Sequence, residues 1–130
     1  MMIPSKRWIR ICFMILAALI AAGCSQSPAG ASVDVSVDEA LRLWQAKEAI
    51  LIDVRTPAEY REGHIPGVAN IPLVELEKRL GEIPKDKKVV LICWTGNRSA
   101  QGTRFLRSKG FDNVFNSTGG MSTWNGPVTK

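Results

Sequence analysis

Two near-continuous apolar runs, Ala49-Ile50-Leu51-Ile52-Asp53-Val54 and Val89-Val90-Leu91-Ile92, constrain the fold of this chain more than any other feature. A strand with one face in water alternates apolar and polar residues. Runs without that alternation are strands covered on both faces, which is the habit of parallel sheets. Each run is followed by a helix start. After the first, Thr56-Pro57-Ala58-Glu59 forms a capping box with proline at the first helical position, and Gly63 ends a short helix. After the second, Cys93-Trp94-Thr95-Gly96-Asn97-Arg98-Ser99 forms a loop leading into a helix expected from Ala100 to Lys109, with Phe105 and Leu106 in its apolar stripe and Gly110 beyond.

The remaining signals continue the alternation. Val33 to Val35 reads as a short strand, and Ser36 with Glu39 as a capping box for a helix carrying Ala40, Leu41, Leu43 and Trp44. His64 to Val68 reads as a loop and Ala69 to Ile71 as a short strand. Pro72 to Leu80 is expected as a helix with Leu73, Leu76 and Leu80 on one face. Asn113 to Asn116 fits a last strand, and Gly119 to Trp124 a final short helix. Trp44 and Trp124 are expected to pack in the core or under loops. The pattern predicts an α/β domain: a small parallel sheet with helices on both faces and a functional site at the carboxyl ends of its strands.

The N-terminus stands apart from this pattern. Lys6, Arg7 and Arg10 precede an apolar run of 12 residues, Ile11 to Ala22. That is short of the roughly 20 residues of a membrane span and has the form of a secretory signal. Its end, Ala21-Ala22-Gly23-Cys24, resembles a bacterial lipoprotein lipobox, with Ala21 where such motifs more often carry Leu. The resemblance implies a signal peptide over 1–23, lipidation of Cys24, a flexible tether over 24–32 and a domain over 33–130. An ordinary cleavable signal ending near Ala22, or a plain hydrophobic anchor, shares the same small-residue pattern. Each version puts the domain outside the cytoplasm. Ser25 stands where an aspartate is associated with inner-membrane retention, so a lipid anchor in the outer membrane is expected in a two-membrane cell.

Without residues 1–23 the chain loses 3 of its 17 basic residues and none of its 12 acidic ones, and its formal charge falls from +5 to +2. Nucleic-acid binding, which needs a clustered basic face, is not expected. The densest basic run, Lys85-Asp86-Lys87-Lys88, reads as a solvated turn before a strand.

Of three cysteines, Cys12 leaves with the signal and Cys24 would carry lipid, so Cys93 is the only thiol of the mature protein. A dithiol–disulfide oxidoreductase needs a resolving thiol and is disfavoured; a one-cysteine mechanism is favoured. At a strand–loop–helix junction a thiol faces backbone N–H groups, the positive end of a helix and a guanidinium, all of which favour thiolate. Gly96 and Asn97 tolerate the positive φ of a tight loop, Arg98 offers planar donors to an oxyanion, and Ser99 can cap the next helix. Trp94 is placed near the mouth. Taken alone, Cys93 would also suit a small buried hydrophobe.

Four ordered segments weigh against that blander role: Asp53-Val54-Arg55-Thr56-Pro57-Ala58-Glu59-Tyr60, Gly63 to Pro72, the Cys93–Ser99 loop, and Gly119-Gly120-Met121 with Trp124. Together they resemble the rhodanese-like domain family, over Val33 to Val128. The stretch after Trp124 is more compact than is usual there. The resemblance implies a sulfurtransferase in which Cys93 takes a sulfane sulfur from thiosulfate or a similar donor, holds it as a persulfide and passes it to a thiol or cyanide, with no metal or cofactor. Trp94, Thr95, Gly96, Asn97, Arg98 and Ser99 would form the substrate cradle. Asp53 and Arg55 are expected at its edge, fixing loops through hydrogen bonds and an ion pair, and His64 is expected to pack a loop. Cysteine phosphatases carry a similar loop with five residues between cysteine and arginine; here four intervene, which favours sulfur over a phosphoryl group. The alternative from another class is a non-catalytic sulfur carrier or partner-binding module in the cell envelope.

Overall fold

The computed structural model describes residues 32–130. The expected signal, Cys24 and nearly all of the tether lie outside the described residues. Five parallel strands form one sheet: β1 (Asp34–Ser36), β2 (Ala49–Asp53), β3 (Ala69–Asn70), β4 (Lys88–Ile92) and β5 (Val114–Thr118), in the spatial order β1-β5-β4-β2-β3. The two apolar runs are neighbours in the centre, with Ile52 opposite Leu91 and Asp53 opposite Ile92.

The helices α1 (Val37–Gln45), α2 (Pro57–Glu62) and α3 (Asn97–Ser108) alternate with the strands. Both faces of β2 and β4 are buried, as their composition requires. On one face Ile52, Val54, Val89, Leu91 and Cys93 pack with Leu76, Leu106 and Phe111; on the other, Leu51, Val90 and Ile92 pack with Ala40, Leu43, Ile65 and Val68. The side-chain period of two puts Cys93 on the face that α3 covers. Trp44 and Trp124 meet edge to face, with ring centroids 6.1 Å apart.

Several elements differ from their expected form. The Thr56 capping box is complete, but at Ser36 only half of one forms: Ser36 Oγ accepts from the Glu39 N–H, while the Glu39 carboxylate turns to Arg42 at 2.8 and 2.9 Å. The expected α-helix from Pro72 is a 3₁₀ segment, Leu73–Glu82, interrupted at Arg79 (φ −119°, ψ 23°). Leu73 and Leu76 lie three apart, a spacing that three residues per turn aligns as well as an α-helix does. The break at Arg79, braced by ion pairs to Glu75 and Glu82, then lets Leu80 return to the core. The last strand runs on to Thr118 because β1 pairs with its second half, Asp34 with Asn116 and Ser36 with Thr118.

Helix α3 starts at Asn97, three residues earlier than expected, with Gly96 as its N-cap at φ 101°. Ser99 therefore sits inside the first turn and is not the cap.

Candidate active site

Strand β4 ends at Ile92, and the next residue, Cys93, is 1% exposed. The loop that follows folds back over it. The Gly96 N–H donates to Cys93 Sγ at 3.0 Å, and Ser99 Oγ lies 3.4 Å from the same sulfur. Burial opposes ionisation of the thiol, yet the contact with Ser99 and the N–H groups of Gly96 and Thr95 outweigh it, and Cys93 is held below its ordinary pKa. Backbone N–H groups thus gather at the sulfur, as expected of a strand–loop–helix junction.

Two glycines make the cradle sterically feasible. Gly96 adopts a left-handed conformation, and a Cβ there would lie 3.2 Å from the Ser117 carbonyl oxygen and 3.3 Å from the Gly119 nitrogen. Gly120 lies closer still to the loop: a Cβ would come within 2.3 Å of the Cys93 carbonyl oxygen and 2.7 Å of that of Trp94. Those carbonyls accept from the Met121 and Ser122 N–H groups at 2.8 and 2.9 Å, so the turn after β5 clamps the Cys93–Trp94 backbone. The 3₁₀ turn Gly120–Thr123 is the expected final short helix.

The other expected site residues separate into distinct positions. Trp94 is half exposed and lines an open cavity of about 510 Å³ with Arg55, Glu59, Glu62, Gly63, Met121 and Val128. Thr95 turns its N–H to the sulfur and is itself exposed, as is Asn97 on the first turn of α3. Arg98 faces Glu59, with Nη1–Oε2 2.7 Å and Nη2–Oε1 2.8 Å. This bidentate pair lowers the Glu59 pKa to about 2, chiefly through the hydrogen bonds from Arg98, and raises that of Arg98. The planar donors that the sequence suggests for an oxyanion are therefore engaged by a carboxylate.

Asp53 and Arg55 form the expected ion pair, at 2.7 Å and almost fully buried. Arg55 also donates to the Gly63 carbonyl at 2.7 Å, and Asn70 Nδ2 donates to the carbonyls of Asp53 and Arg55. The pair thus ties the end of β2 to the end of α2. His64 stacks on Tyr60 at 3.7 Å and its Nδ1 lies 2.8 Å from the Tyr60 carbonyl oxygen, a packing role. Among the described residues, no three His, Cys, Asp or Glu side chains gather as metal ligands would.

A family model for the rhodanese-like domain matches residues 36–127. The chain belongs to the rhodanese-like domain family. A protein named sulfurtransferase from Allochromatium vinosum is 40% identical over 83 residues, which is 64% of this chain and 78% of that protein. Among solved structures, a rhodanese-related protein from Thermoplasma volcanium superposes with a TM-score of 0.67 at 32% identity, covering 74% of this chain and 96% of that one. The human single-domain sulfurtransferase TSTD1 does so with a TM-score of 0.63 at 33% identity, covering 72% and 95%. These similarities agree with the rhodanese-like α/β fold, parallel sheet and helices described above.

The sequence places Gly120 in a motif and Asn116 in a strand, but gives neither a part in the cradle. The Gly119-Gly120 pair was a usable signal, since adjacent glycines after a strand mark close backbone approach. Asn116 carries no such signal, because its contacts join residues 17 and 82 positions away.

Proposed function

We propose that this rhodanese-like domain is a sulfurtransferase that carries a sulfane sulfur on Cys93 from thiosulfate, or a donor of similar chemistry, to a thiol or cyanide. The Cys93 thiolate attacks the outer sulfur of the donor. A sulfur–sulfur bond forms at Sγ while the donor's own sulfur–sulfur bond breaks, and sulfite leaves with the bonding electron pair. The acceptor then attacks the terminal sulfur of the persulfide, and Cys93 departs as thiolate. Both half-reactions begin or end with negative charge on sulfur, which is what N–H groups directed at Sγ stabilise. The observation that carries this reading is the 3.0 Å bond from the Gly96 N–H to a buried Sγ at the end of a central strand.

The sequence over 1–24 supports the further proposal that the domain works outside the cytoplasm on a lipid anchor at Cys24. Loss of membrane association in a Cys24→Ser variant expressed in cells is the expected outcome.

Intact mass spectrometry of residues 25–130 tests the main reading. One sulfur atom gained on thiosulfate treatment, lost on adding cyanide, and absent in Cys93→Ser is expected. A folded, reduced sample that gains no sulfur from thiosulfate or any other sulfane donor would shift the assignment to a non-catalytic partner-binding module.

A further inference from the structure

Behind the sulfur a line of hydrogen bonds runs to the edge of the sheet. Ser99 Oγ lies 3.4 Å from Cys93 Sγ, 3.1 Å from the Gly96 carbonyl oxygen and 2.6 Å from Asn116 Oδ1, and Asn116 Nδ2 donates to Asp34 Oδ1 at 2.8 Å. Ser99 and Asn116 are buried, whereas Asp34 lies on the exposed edge strand β1. A serine hydroxyl has one proton, and three acceptors surround this one. The chemistry of the far end decides among them. An ionised carboxylate only accepts, so Asp34 requires the amide nitrogen of Asn116 and turns the amide oxygen toward Ser99. Given the shortest contact, the hydroxyl proton goes to Asn116.

We propose that Asn116 and Asp34 are positioning residues that direct the Ser99 proton away from the Cys93 sulfur. The inference rests on the reading of Cys93 as the sulfur-carrying nucleophile. Its chemical sense follows from that role. A thiolate that receives a further full hydrogen bond is more populated but less nucleophilic. Drawing the Ser99 proton toward Asn116 leaves the backbone N–H groups as the main donors to the sulfur. The Ser99 lone pairs then face a thiol proton while one is present.

The charged groups around this line are few. Arg98 on α3 is paired with Glu59 on α2, Arg55 is paired with Asp53 at the end of β2, and Arg104 and Arg107 line a cavity of about 350 Å³ with Asp34 and Asn116. Arg107 donates to the Val114 and Asp112 carbonyls. The substitutions below leave all of these in place except Asp34 itself.

The test is the pH profile of Cys93 alkylation by iodoacetamide in the full chain, read at the Cys93 peptide by mass spectrometry, which requires no sulfur donor. Asn116→Leu removes the acceptor of the Ser99 proton without changing charge, and Asp34→Ala, on an exposed edge, frees the amide to turn over. Each is expected to lower the midpoint of the profile by at least about half a pH unit, roughly a threefold rise in the thiolate-to-thiol ratio. In a Ser99→Ala background neither substitution is expected to move it. Unchanged or raised midpoints in folded single variants would overturn the proposal. So would an equal fall in the Ser99→Ala background, which would reveal a field effect of charge or a general loosening of the loop. Failure of sulfur loading with the alkylation pattern intact would instead overturn the sulfurtransferase reading alone.

Discussion

Glu59 on α2 and Arg98 on α3 join two helices across the mouth of the site through a bidentate ion pair, at 2.7 and 2.8 Å, with each side chain about one-third exposed. The same carboxylate closes the α2 capping box, with Glu59 Oε2 accepting from the Thr56 N–H at 3.0 Å. One acid thus starts α2 and neutralises the arginine of the first turn of α3. The Arg98 guanidinium is consequently not free to meet an anionic donor unless Glu59 yields it.

A dianion such as thiosulfate is expected to feel that neutralisation. Glu59→Gln retains an acceptor for the capping box and removes the charge opposing Arg98. It is expected to raise the second-order rate of sulfur loading from thiosulfate about threefold to tenfold, with the gain shrinking as salt is added. Arg98→Ala leaves Glu59 unpaired beside the mouth and is expected to lower the rate about tenfold or more, the scale of a lost charge-assisted contact. Stopped-flow loading rates for the two variants and their combination decide the matter; a rate indifferent to both would make the pair purely structural.

The pair also carries a pH signature. The Glu59 carboxyl is held at about 2 in the folded protein, below its ordinary 4.5, mainly by the hydrogen bonds from Arg98. A depressed carboxylate pKa stabilises the fold above the unfolded-state value, and that contribution fades as pH falls through the folded-state value. The difference in urea midpoint between the wild-type protein and Glu59→Gln is therefore expected to be constant above about pH 6 and to narrow between about pH 5 and pH 2. A difference that persists unchanged at pH 2 would contradict this assignment.

The clamp behind the loop gives a separate expectation. At Gly120 an added Cβ would meet backbone oxygens of Cys93 and Trp94, and φ is +54°. Backbone atoms cannot swing aside as a flexible side chain would, so Gly120→Ala is expected to displace the Cys93–Trp94 segment and weaken the bond from the Gly96 N–H to Sγ. The variant should remain folded by circular dichroism and lose most of its sulfur loading, with a higher midpoint for Cys93 alkylation than the wild-type protein.

What the sequence makes legible follows the range of the interactions. The two apolar runs dictate a central parallel pair, and Thr56-Pro57-Ala58-Glu59 dictates the start of α2, because periodicity and capping act over a few residues. The sequence pattern starts helix α3 three residues too late, because the left-handed Gly96 caps it and glycine marks loops as readily as caps. The 3₁₀ form of Leu73–Glu82 is hidden by Leu73 and Leu76, whose spacing of three suits either helix. The Glu59 partner of Arg98 is not legible in the sequence, because it lies 39 residues away on a helix whose orientation no local signal gives. Ser99 reads as a cap for the same reason, since Asn116 reaches it only once β5 lies beside β4. The loop residues were legible as a group, while their pairings depended on the assembled sheet.

The buried pair of Asp53 and Arg55 is expected to reveal its cost only when it is broken unevenly. Both side chains are nearly inaccessible, and Asp53 also accepts from the Arg55 N–H at 2.9 Å. Arg55→Leu would leave a carboxylate with neither solvent nor a cation and would remove the donor to the Gly63 carbonyl. A loss of about 3 to 5 kcal/mol of unfolding free energy is expected. Asp53→Asn combined with Arg55→Leu removes the stranded charge as well, and should recover a substantial part of that loss even though one more native group has been changed. Urea unfolding of the single and double variants reads this directly. A double variant no more stable than Arg55→Leu would mean that the arginine acts chiefly through Gly63, as a tie between β2 and the end of α2, and not as the counter-charge of Asp53.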